Sequence, residues 1–324
     1  MIKKLINIFI IIFIGAYTSI LFAQTTPVNQ LQPLTVMLDW FVNPDHAPLF
    51  VAQQQGFFKQ QGLDVKLIGP ADPSDPPKLV AAGKADLAIT YLPQLLLDVQ
   101  QGLPLVRIAT LIDKPMGCMA VKANSGINSI KDLKGKSIGY STDGVDSAML
   151  HVMLGAHGLS LNDVNLINVN YDLTQALLSG KVDAVTGVGR NFELIQMKLA
   201  GFHAGAFYPE DNGVPPYDEL IIVTNRKELN DPRLHKFLIA LKQGENYLQL
   251  HPQQSWLQFA KNHPELNNEL NKQSWFATLS AFTRDPAALN VNKYNNFTQF
   301  MLNEKLITKL IPIQEYAINI NMKS

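Results

Sequence analysis

The chain has 324 residues, enough for a sizeable hydrophobic core and two domains of ~150 residues. Hydrophobic residues make up 47% of it and charged residues 17%, which is ordinary for a soluble globular protein. Lys plus Arg and Asp plus Glu each total 27, so no charge excess favours nucleic acid or an anionic membrane as a partner.

The first 24 residues do not belong to the predicted fold. Two lysines precede a mostly apolar run from Leu5 to Phe22, and Ala23 is a small residue suited to cleavage. We therefore predict a signal peptide over residues 1–23 and export to a bacterial periplasm. The apolar run is long for a signal peptide, so an uncleaved membrane anchor is the competing interpretation. Cys118 is the only cysteine, which excludes an internal disulfide, and its apolar context predicts a buried small side chain.

Strands and helices alternate after the signal. Residues 34–38 are aliphatic and β-branched, which predicts a buried strand, and the apolar residues from Ala47 to Phe58 have helical spacing. Between them lies a polar, aromatic turn at residues 39–46. A strand that feeds a helix through such a turn is half of a βαβ unit, and these units bind ligands beyond the carboxyl ends of their strands. Further strands are predicted at 64–68, 87–90 and 105–112. A short helix that ends at Ala82 follows a proline-rich loop at 69–77, and another helix runs from the end of the 87–90 strand through Gln101.

The pattern starts again after residues 113–117, which we interpret as a hinge. Strands are predicted at 118–122, 137–140, 165–169, 182–187 and 218–223, and a helix at 173–178. Residues 141–158 predict another helix, whose first amides can be capped by the side chain of Ser141, Thr142 or Asp143. From Pro232 onward the sequence predicts helices only, at 233–250, 252–261, 267–279 and 286–304, and these should pack on the first lobe. A second chain crossing near residues 224–226 completes a two-strand hinge.

Two segments of the chain resemble each other. Residues 79–90, LVAAGKADLAIT, and residues 176–187, ALLSGKVDAVTG, both contain a helix end, Gly-Lys, an Asp and an apolar strand. Such connections are common in α/β proteins, so chance similarity is one interpretation. The other is that both halves are versions of one lobe, which places Tyr91 and residues 190–193 opposite each other across a cleft. We predict a first lobe of residues 24–114 and 225–324, and a second lobe of residues 115–224.

The sequence contains none of the common enzyme signatures. It has no Gly-x-Ser-x-Gly, no Gly-x-x-x-x-Gly-Lys and no His-Glu-x-x-His, and its seven histidines lack metal-ligand spacing. We therefore expect no catalytic residue, no metal and no cofactor.

The candidate site is rich in aromatic and carboxylate side chains. Trp40 and Tyr91 follow two strands of one lobe and can sandwich a flat ring, unless both belong to the core. Asp39 and Glu193 can accept hydrogen bonds from an exocyclic amine, while Asn43 can also donate. The predicted ligand-binding residues are Asp39, Trp40, Asn43, His46, Tyr91, Gly117, Ser141, Thr142, Asp143, Gly187, Arg190, Asn191 and Glu193.

Other assignments also keep an alternative. Glu193 is either a ligand contact or a solvated helix residue. His46 is either a helix-start residue or a ligand contact, and Arg190 either binds an anion or pairs with Glu193. The helix start at residues 141–144 offers free amides, the usual seat of an anion, but its acidic residues argue against a phosphate there.

Four stretches resemble a known protein family. They are LDWFVNPDHAPLFVAQQQGFFKQQGLDV, GKADLAITY, RNFELIQMKLAG and FYPEDNGVPPYDELIIV. Over residues 34 to about 260 the chain is similar to the binding proteins of ABC importers that handle the pyrimidine half of thiamine. The resemblance implies a type II periplasmic-binding-protein fold, two α/β lobes joined by a two-strand hinge with C-terminal helices packed on lobe 1.

The resemblance also implies a ligand and a partner. The ligand is 4-amino-5-hydroxymethyl-2-methylpyrimidine or its formylamino relative, stacked by Trp40 and Tyr91 and held by Asp39, Asn43 and Glu193. An ABC transporter permease is the expected partner, the protein is expected to be a monomer, and no nucleic acid is involved.

Two alternatives to this function stay open. Binding proteins for sulfonate or nitrate share the lobes but would need basic or hydroxyl-rich contacts. The fungal synthase that makes the same pyrimidine from pyridoxal phosphate is similar too, but it places a lysine and a histidine where this chain has Thr90 and Gln94. Its cysteine cluster is also missing before residue 220.

Overall fold

The structure is a computed structural model that describes residues 30–320. The predicted signal peptide therefore lies outside the described residues. Among the helices of residues 30–320, none combines the length and the apolar character needed to cross a membrane.

Ten strands form two sheets of five. In chain order they are β1 (Gln32–Met37), β2 (Leu63–Ile68), β3 (Leu87–Thr90), β4 (Leu105–Ile112), β5 (Gly117–Lys122), β6 (Ser137–Tyr140), β7 (Asn165–Asn168), β8 (Ala184–Gly189), β9 (Ala204–Phe207) and β10 (Leu220–Asn225). The strand order is β2-β1-β3-β10-β4 in the first sheet and β7-β6-β8-β5-β9 in the second. In each sheet the first three strands of this order are parallel and the fourth is antiparallel to them. The fourth strand is β10 in the first sheet and β5 in the second, and each lies next to a chain crossing between the lobes.

Eleven α-helices accompany these sheets in the described residues. They are α1 (Ala47–Gln54), α2 (Phe57–Gln60), α3 (Pro76–Ala81), α4 (Leu92–Gln100), α5 (Val145–Gly155), α6 (Leu173–Leu178), α7 (Glu193–Leu199), α8 (Pro232–Leu250), α9 (Pro252–Asn262), α10 (Glu269–Thr278) and α11 (Val291–Asn303). Proline occupies the first turn of five of them, α1, α3, α4, α8 and α9, where its missing N–H costs no hydrogen bond.

The two similar segments occupy equivalent places. Helix α3 leads into β3 and helix α6 leads into β8, and each of these strands is the third in its sheet's order. In both turns the glycine before the lysine has a positive φ, 69° at Gly83 and 74° at Gly180. The matching positions support the interpretation that the two lobes are versions of one unit.

Strand β10 is where the predicted lobe boundary and the structure differ. A boundary after residue 224 would put this strand in the second lobe, but it pairs with β3 and β4 of the first sheet. All of its residues are buried, so the sequence shows no alternation that would indicate which sheet it joins. The second crossing therefore lies before Leu220.

Other elements also differ from the predicted ones, among them helix α7, which was not predicted. The helix expected over residues 47–58 is divided into α1 and α2 at Gly56, whose φ is +73°. Strand β9 was not predicted. Helix α11 begins at Val291 and not at Pro286, because the Asn290 side chain accepts a hydrogen bond from the backbone of Lys293 and caps the helix there.

The C-terminal helices pack on the first sheet, as predicted. Phe237 of α8 stacks on Phe58 with ring centroids 5.4 Å apart, and Trp275 of α10 is fully buried in the same core cluster as β1 and β3. The first lobe thereby acquires a large core of its own, while the second lobe is built around smaller clusters.

Candidate functional site

A cavity lies between the two lobes, at the turns that follow β1, β3, β6 and β8. Its volume is about 90 Å³. A space of ~10–15 Å³ is enough to admit one water molecule, so this cavity is several times larger than a single-water site. Both lobes and both hinge crossings contribute to its lining.

Ten of the thirteen predicted binding residues line this cavity. They are Asp39, Trp40, Asn43, Tyr91, Gly117, Ser141, Thr142, Gly187, Asn191 and Glu193. The structure does not bring the remaining three, His46, Asp143 and Arg190, to its wall.

The Asp39 carboxylate is held in place by hydrogen bonds with Tyr91 and His46. The Tyr91 hydroxyl donates to its Oδ2 atom at 2.8 Å, and His46 Nε2 lies 2.9 Å from its Oδ1 atom. His46 Nδ1 accepts from the backbone N–H of Asn43, so Nε2 carries the proton and donates to Asp39. His46 is fully buried, which makes it a support for Asp39 and not a wall of the cavity. Burial and Asp39 together keep the pKa of Tyr91 well above its usual range, so its hydroxyl stays protonated.

Trp40 joins the two lobes at the cavity. Its ring meets Tyr171 of the second lobe edge-on, with centroids 4.6 Å apart, and the Tyr171 hydroxyl donates to the Pro70 carbonyl of the first lobe at 2.9 Å. Trp40 is only 8% exposed, and its indole N–H has no hydrogen-bond partner in the described residues. The indole therefore both packs between the lobes and keeps an unused donor.

Asp45 connects the lobes through hydrogen bonds. Asn191 Nδ2 of the second lobe donates to Asp45 Oδ1 at 2.5 Å, and Thr278 of α10 donates to the same oxygen at 3.0 Å. Burial raises the pKa of Asp45 to about 6. Asn191 is 3% exposed, and its Oδ1 atom has no partner in the described residues.

The start of α5 differs from the predicted anion seat. The backbone amides of Ser141 and Thr142 both donate to Asp146 Oδ2 at 2.9 Å, so neither is free for a ligand anion. Burial raises the pKa of Asp146 to about 6. The predicted cap by a side chain of residues 141–143 is also wrong, because the helix begins after Gly144 with no side-chain cap.

Gly187 makes room for this acid. Its φ is +77°, and a Cβ atom there would lie 2.8 Å from Asp146 Cγ. Only glycine combines this backbone conformation with such a close approach. Strand β8 can therefore pass directly beside the carboxyl group.

Two buried glutamates complete the acidic lining. Glu193, at the start of α7, accepts a hydrogen bond from the Gly189 amide at 2.8 Å. Glu219, just before β10, accepts from the amides of Met116 at 2.6 Å and Gly117 at 3.3 Å. Burial raises the pKa of each to about 7. Glu219 lies on one hinge crossing and holds the backbone of the other.

Arg190 pairs with Glu210, which contradicts the predicted alternative that it pairs with Glu193. Its guanidinium donates to both carboxylate oxygens of Glu210, at 2.6 and 3.0 Å, and lies 4.5 Å from the Tyr208 ring centroid. It also donates to the Gly117 carbonyl at 3.1 Å. The charge is thus neutralised by Glu210 outside the cavity. The carboxylate partner of Arg190 is therefore Glu210 and not Glu193.

Several lining residues were not predicted from the sequence. They are Asp45, Met116, Cys118, Val145, Asp146, Met149, Thr186, Gly189, Phe192, Pro209, Tyr217, Glu219 and Leu220. Asp45 lies in the same turn as Asn43 and His46, and Glu219 belongs to an acidic pair before a strand, so both had a visible signal. Five carboxyl groups line the cavity and, among the described residues, no lysine, arginine or histidine does.

The chain is similar to proteins of thiamine metabolism. Residues 43–255 match the family described as "NMT1/THI5 like". A Haemophilus influenzae protein named for thiamine biosynthesis is 46% identical over 297 residues, covering 91% of this chain and 95% of that protein. The formylaminopyrimidine-binding protein of Halalkalibacterium halodurans is 33% identical over 239 residues, covering 73% of this chain and 72% of that protein.

Solved structures with the same architecture confirm the predicted fold. The alkanesulfonate-binding protein of Xanthomonas axonopodis pv. citri has a TM-score of 0.69 at 15% identity, covering 89% of this chain and 99% of that one. A Candida albicans protein with the generic periplasmic-binding-protein fold has a TM-score of 0.72 at 16% identity, covering 91% and 98%. These likenesses establish the periplasmic-binding-protein fold, and the family match and the 46% identity establish more: this chain belongs to the NMT1/THI5-like family.

Proposed function

We propose that this protein is the solute-binding component of an ABC importer and binds a pyrimidine precursor of thiamine in the cavity between its lobes. The candidates are 4-amino-5-hydroxymethyl-2-methylpyrimidine (the hydroxymethylpyrimidine) and N-formyl-4-amino-5-aminomethyl-2-methylpyrimidine (the formylaminopyrimidine). The observation that carries the proposal is the lining of the cavity between the lobes by aromatic rings and five carboxyl groups. The similarity to a formylaminopyrimidine-binding protein supports the same ligand class.

The ligand contacts can be assigned to the groups that remain available. Trp40 and Tyr91 offer ring surfaces for an aromatic ligand. Asp39 already uses both oxygens for Tyr91 and His46, so it positions the Tyr91 ring. Glu193, Asn191 and Glu219 keep acceptor atoms for the amine and ring edge of the ligand.

Transport would follow from closure of the lobes on the ligand. Several hydrogen bonds join the lobes, including Val145 N–H to Gln94 Oε1 at 3.1 Å and Asp143 N–H to Ser74 Oγ at 3.0 Å. A ligand that touches both lobes favours the closed form by its differential affinity for that form. The closed protein would then deliver the ligand to a permease from the periplasm, acting as a carrier and not as an enzyme.

The sulfonate or nitrate alternative fits the cavity less well. An anion would approach five carboxyl groups with no basic side chain on the wall in the described residues. The synthase alternative lacks its reactive groups, because the positions of its lysine and histidine hold Thr90 and Gln94. Gln94 is already bonded to Asp98 and to the α5 backbone, which is a structural role.

Calorimetry on protein freed of bound ligand by unfolding and refolding would test the proposal. We expect saturable heat with the hydroxymethylpyrimidine or the formylaminopyrimidine, and none with ethanesulfonate or nitrate. Heat with the anions alone would move the protein to the sulfonate or nitrate class. In a second arm the protein is incubated with pyridoxal phosphate and iron(II), and mass spectrometry should find its mass unchanged. Loss of part of a histidine would instead support the synthase.

A further inference from the structure

The edge of the cavity offers hydrogen-bond acceptors to a ligand. Glu193 and Glu219 each accept backbone amides through Oε2, and the Tyr217 hydroxyl also hydrogen-bonds the Glu219 carboxyl group, so both carboxylates still have lone pairs for a ligand. The Oδ1 atom of Asn191, which is 97% buried, has no partner in the described residues. Its amide orientation is fixed, because Nδ2 donates to Asp45 and Thr278. A ligand that satisfies this edge must supply hydrogen-bond donors, N–H or O–H groups.

The charges around this edge are of one sign. The carboxyl groups on the wall are Asp39, Asp45, Asp146, Glu193 and Glu219. Tyr91, Tyr217 and Cys118 are the other titratable side chains of the wall, and burial raises the pKa of all three, so they stay neutral. Behind the wall, Arg190 is paired with Glu210 and His46 donates to Asp39. The described residues thus leave the buried acids without a matching cation.

We propose that the ligand is bound as a cation, with a proton on the ring nitrogen next to its amino group shared with Glu193 and Glu219. This inference rests on the proposed function and adds the charge state of the ligand. A protonated aminopyrimidine presents two parallel N–H groups, and a carboxylate accepts such a pair as it accepts the fork of an arginine. The positive charge also offsets the cost of burying ionised carboxyl groups.

The proposal predicts proton uptake on binding. Burial raises the pKa of Glu193 and of Glu219 to about 7, because it disfavours their charged forms. Above pH 7 the empty site loses its protons and a neutral ligand brings none, so the complex must take one from solvent. Affinity should therefore fall by about tenfold per pH unit at high pH. Below pH 6 the acids are protonated before binding, and a cationic ligand must displace a proton, so affinity should fall there too.

Calorimetry with the hydroxymethylpyrimidine between pH 5.5 and 9 tests the predicted proton uptake. The titrations are repeated in phosphate and in Tris, because the ionisation heats of these buffers differ. We expect uptake close to one proton per complex at pH 8 and a Kd that rises about tenfold between pH 8 and pH 9. The 4-oxo analogue, which lacks the amino group and the basic ring nitrogen, should bind at least 100-fold more weakly at pH 7. A pH-independent Kd with equal heats in both buffers would overturn the cation and leave the proposed function intact. Absence of binding at every pH would instead refute the proposed function and this inference with it.

Variants locate the proton. Glu193→Gln and Glu219→Gln should each weaken binding at pH 7 at least tenfold and reduce the proton uptake at pH 8. Glu245→Gln is the matched control, since burial raises the pKa of Glu245 to about 7 as well but the residue lies on α8, outside the cavity lining. Its Kd and proton uptake should equal those of the wild type. Melting temperatures of the empty variants separate loss of binding from loss of fold. Unchanged proton uptake in both cavity variants, with their folds intact, would contradict the assignment.

Discussion

Replacing Gly187 by alanine should be far more damaging than an ordinary glycine-to-alanine change in the same lobe. Gly187 has φ +77°, and Gly180, 7 residues earlier, has φ +74°. A Cβ atom at Gly180 meets nothing within 4 Å, whereas one at Gly187 would lie 2.8 Å from Asp146 Cγ. The two substitutions thus share the same backbone conformation and differ only in the collision with Asp146.

The magnitudes follow from these two contributions. The left-handed conformation costs an alanine about 1–2 kcal/mol at either position. At Gly187 the carboxyl group of Asp146 must also move, and it would lose its hydrogen bonds from Ser141 and Thr142, both 2.9 Å long. Hydrogen bonds to a charged group contribute about 1.5–3 kcal/mol each. Loss of both bonds would therefore make Gly187→Ala reduce the free energy of unfolding by about 3–6 kcal/mol more than Gly180→Ala.

Urea unfolding followed by circular dichroism measures the difference, and calorimetry shows whether the altered cavity wall weakens ligand binding. Gly180→Ala should leave the Kd unchanged. In an Asp146→Ala background the obstacle is gone, so Gly187→Ala should then cost no more than Gly180→Ala. Equal losses for the two glycine variants in the wild-type background would refute the close packing of β8 against Asp146.

Three further changes test the wall of the cavity. Trp40→Ala should weaken pyrimidine binding about 5- to 150-fold in calorimetry, because stacking of a base on an aromatic side chain contributes about 1–3 kcal/mol. An unchanged Kd would mean that Trp40 is a core residue only. Gln94→Ala removes the acceptor that Val145 N–H uses between the lobes, so the Kd should rise several-fold. The control Gln273→Ala, at a partly exposed position outside the cavity lining, should leave the Kd unchanged. Burial raises the pKa of the Cys118 thiol to about 12, so at pH 8 about one thiol in ten thousand is ionised. Iodoacetamide should therefore label this cysteine only after the protein is unfolded. Rapid labelling of the folded protein would contradict the burial of Cys118.

The fold was predictable because its signals are local. Short sequence windows were enough to recognise the alternation of strand and helix, the repeated Gly-Lys turn and the helices after Pro232. Together these signals indicated two similar lobes. Strand β10 was assigned to the wrong lobe for the converse reason. Its partners, β3 and β4, lie more than a hundred residues earlier in the chain, and a strand buried on both faces carries no pattern that identifies them.

The candidate site was predictable where its residues follow a strand. Asp39, Tyr91 and Glu193 come directly after β1, β3 and β8, so the rule that ligands bind at the carboxyl ends of strands located them near the cavity. Glu219 precedes its strand, and only the hinge geometry brings it to the wall. Arg190 was misassigned because its partner Glu210 lies 20 residues away, a separation at which the sequence gives no distance.

The same lobes occur in proteins named for sulfonate binding, so the fold does not decide the ligand. In this chain the decision lies with the turns after the strands, which carry carboxyl groups, while Arg190 is the nearby cation and is already paired with Glu210. An anion ~4 Å from a single ionised carboxylate meets about 4 kcal/mol of repulsion at an effective dielectric constant of ~20. Converting this cavity to anion binding would therefore require removing acids as well as adding a base. We expect Glu193→Gln with Glu219→Gln to abolish pyrimidine binding without creating detectable sulfonate binding in calorimetry, because three acids would still line the wall.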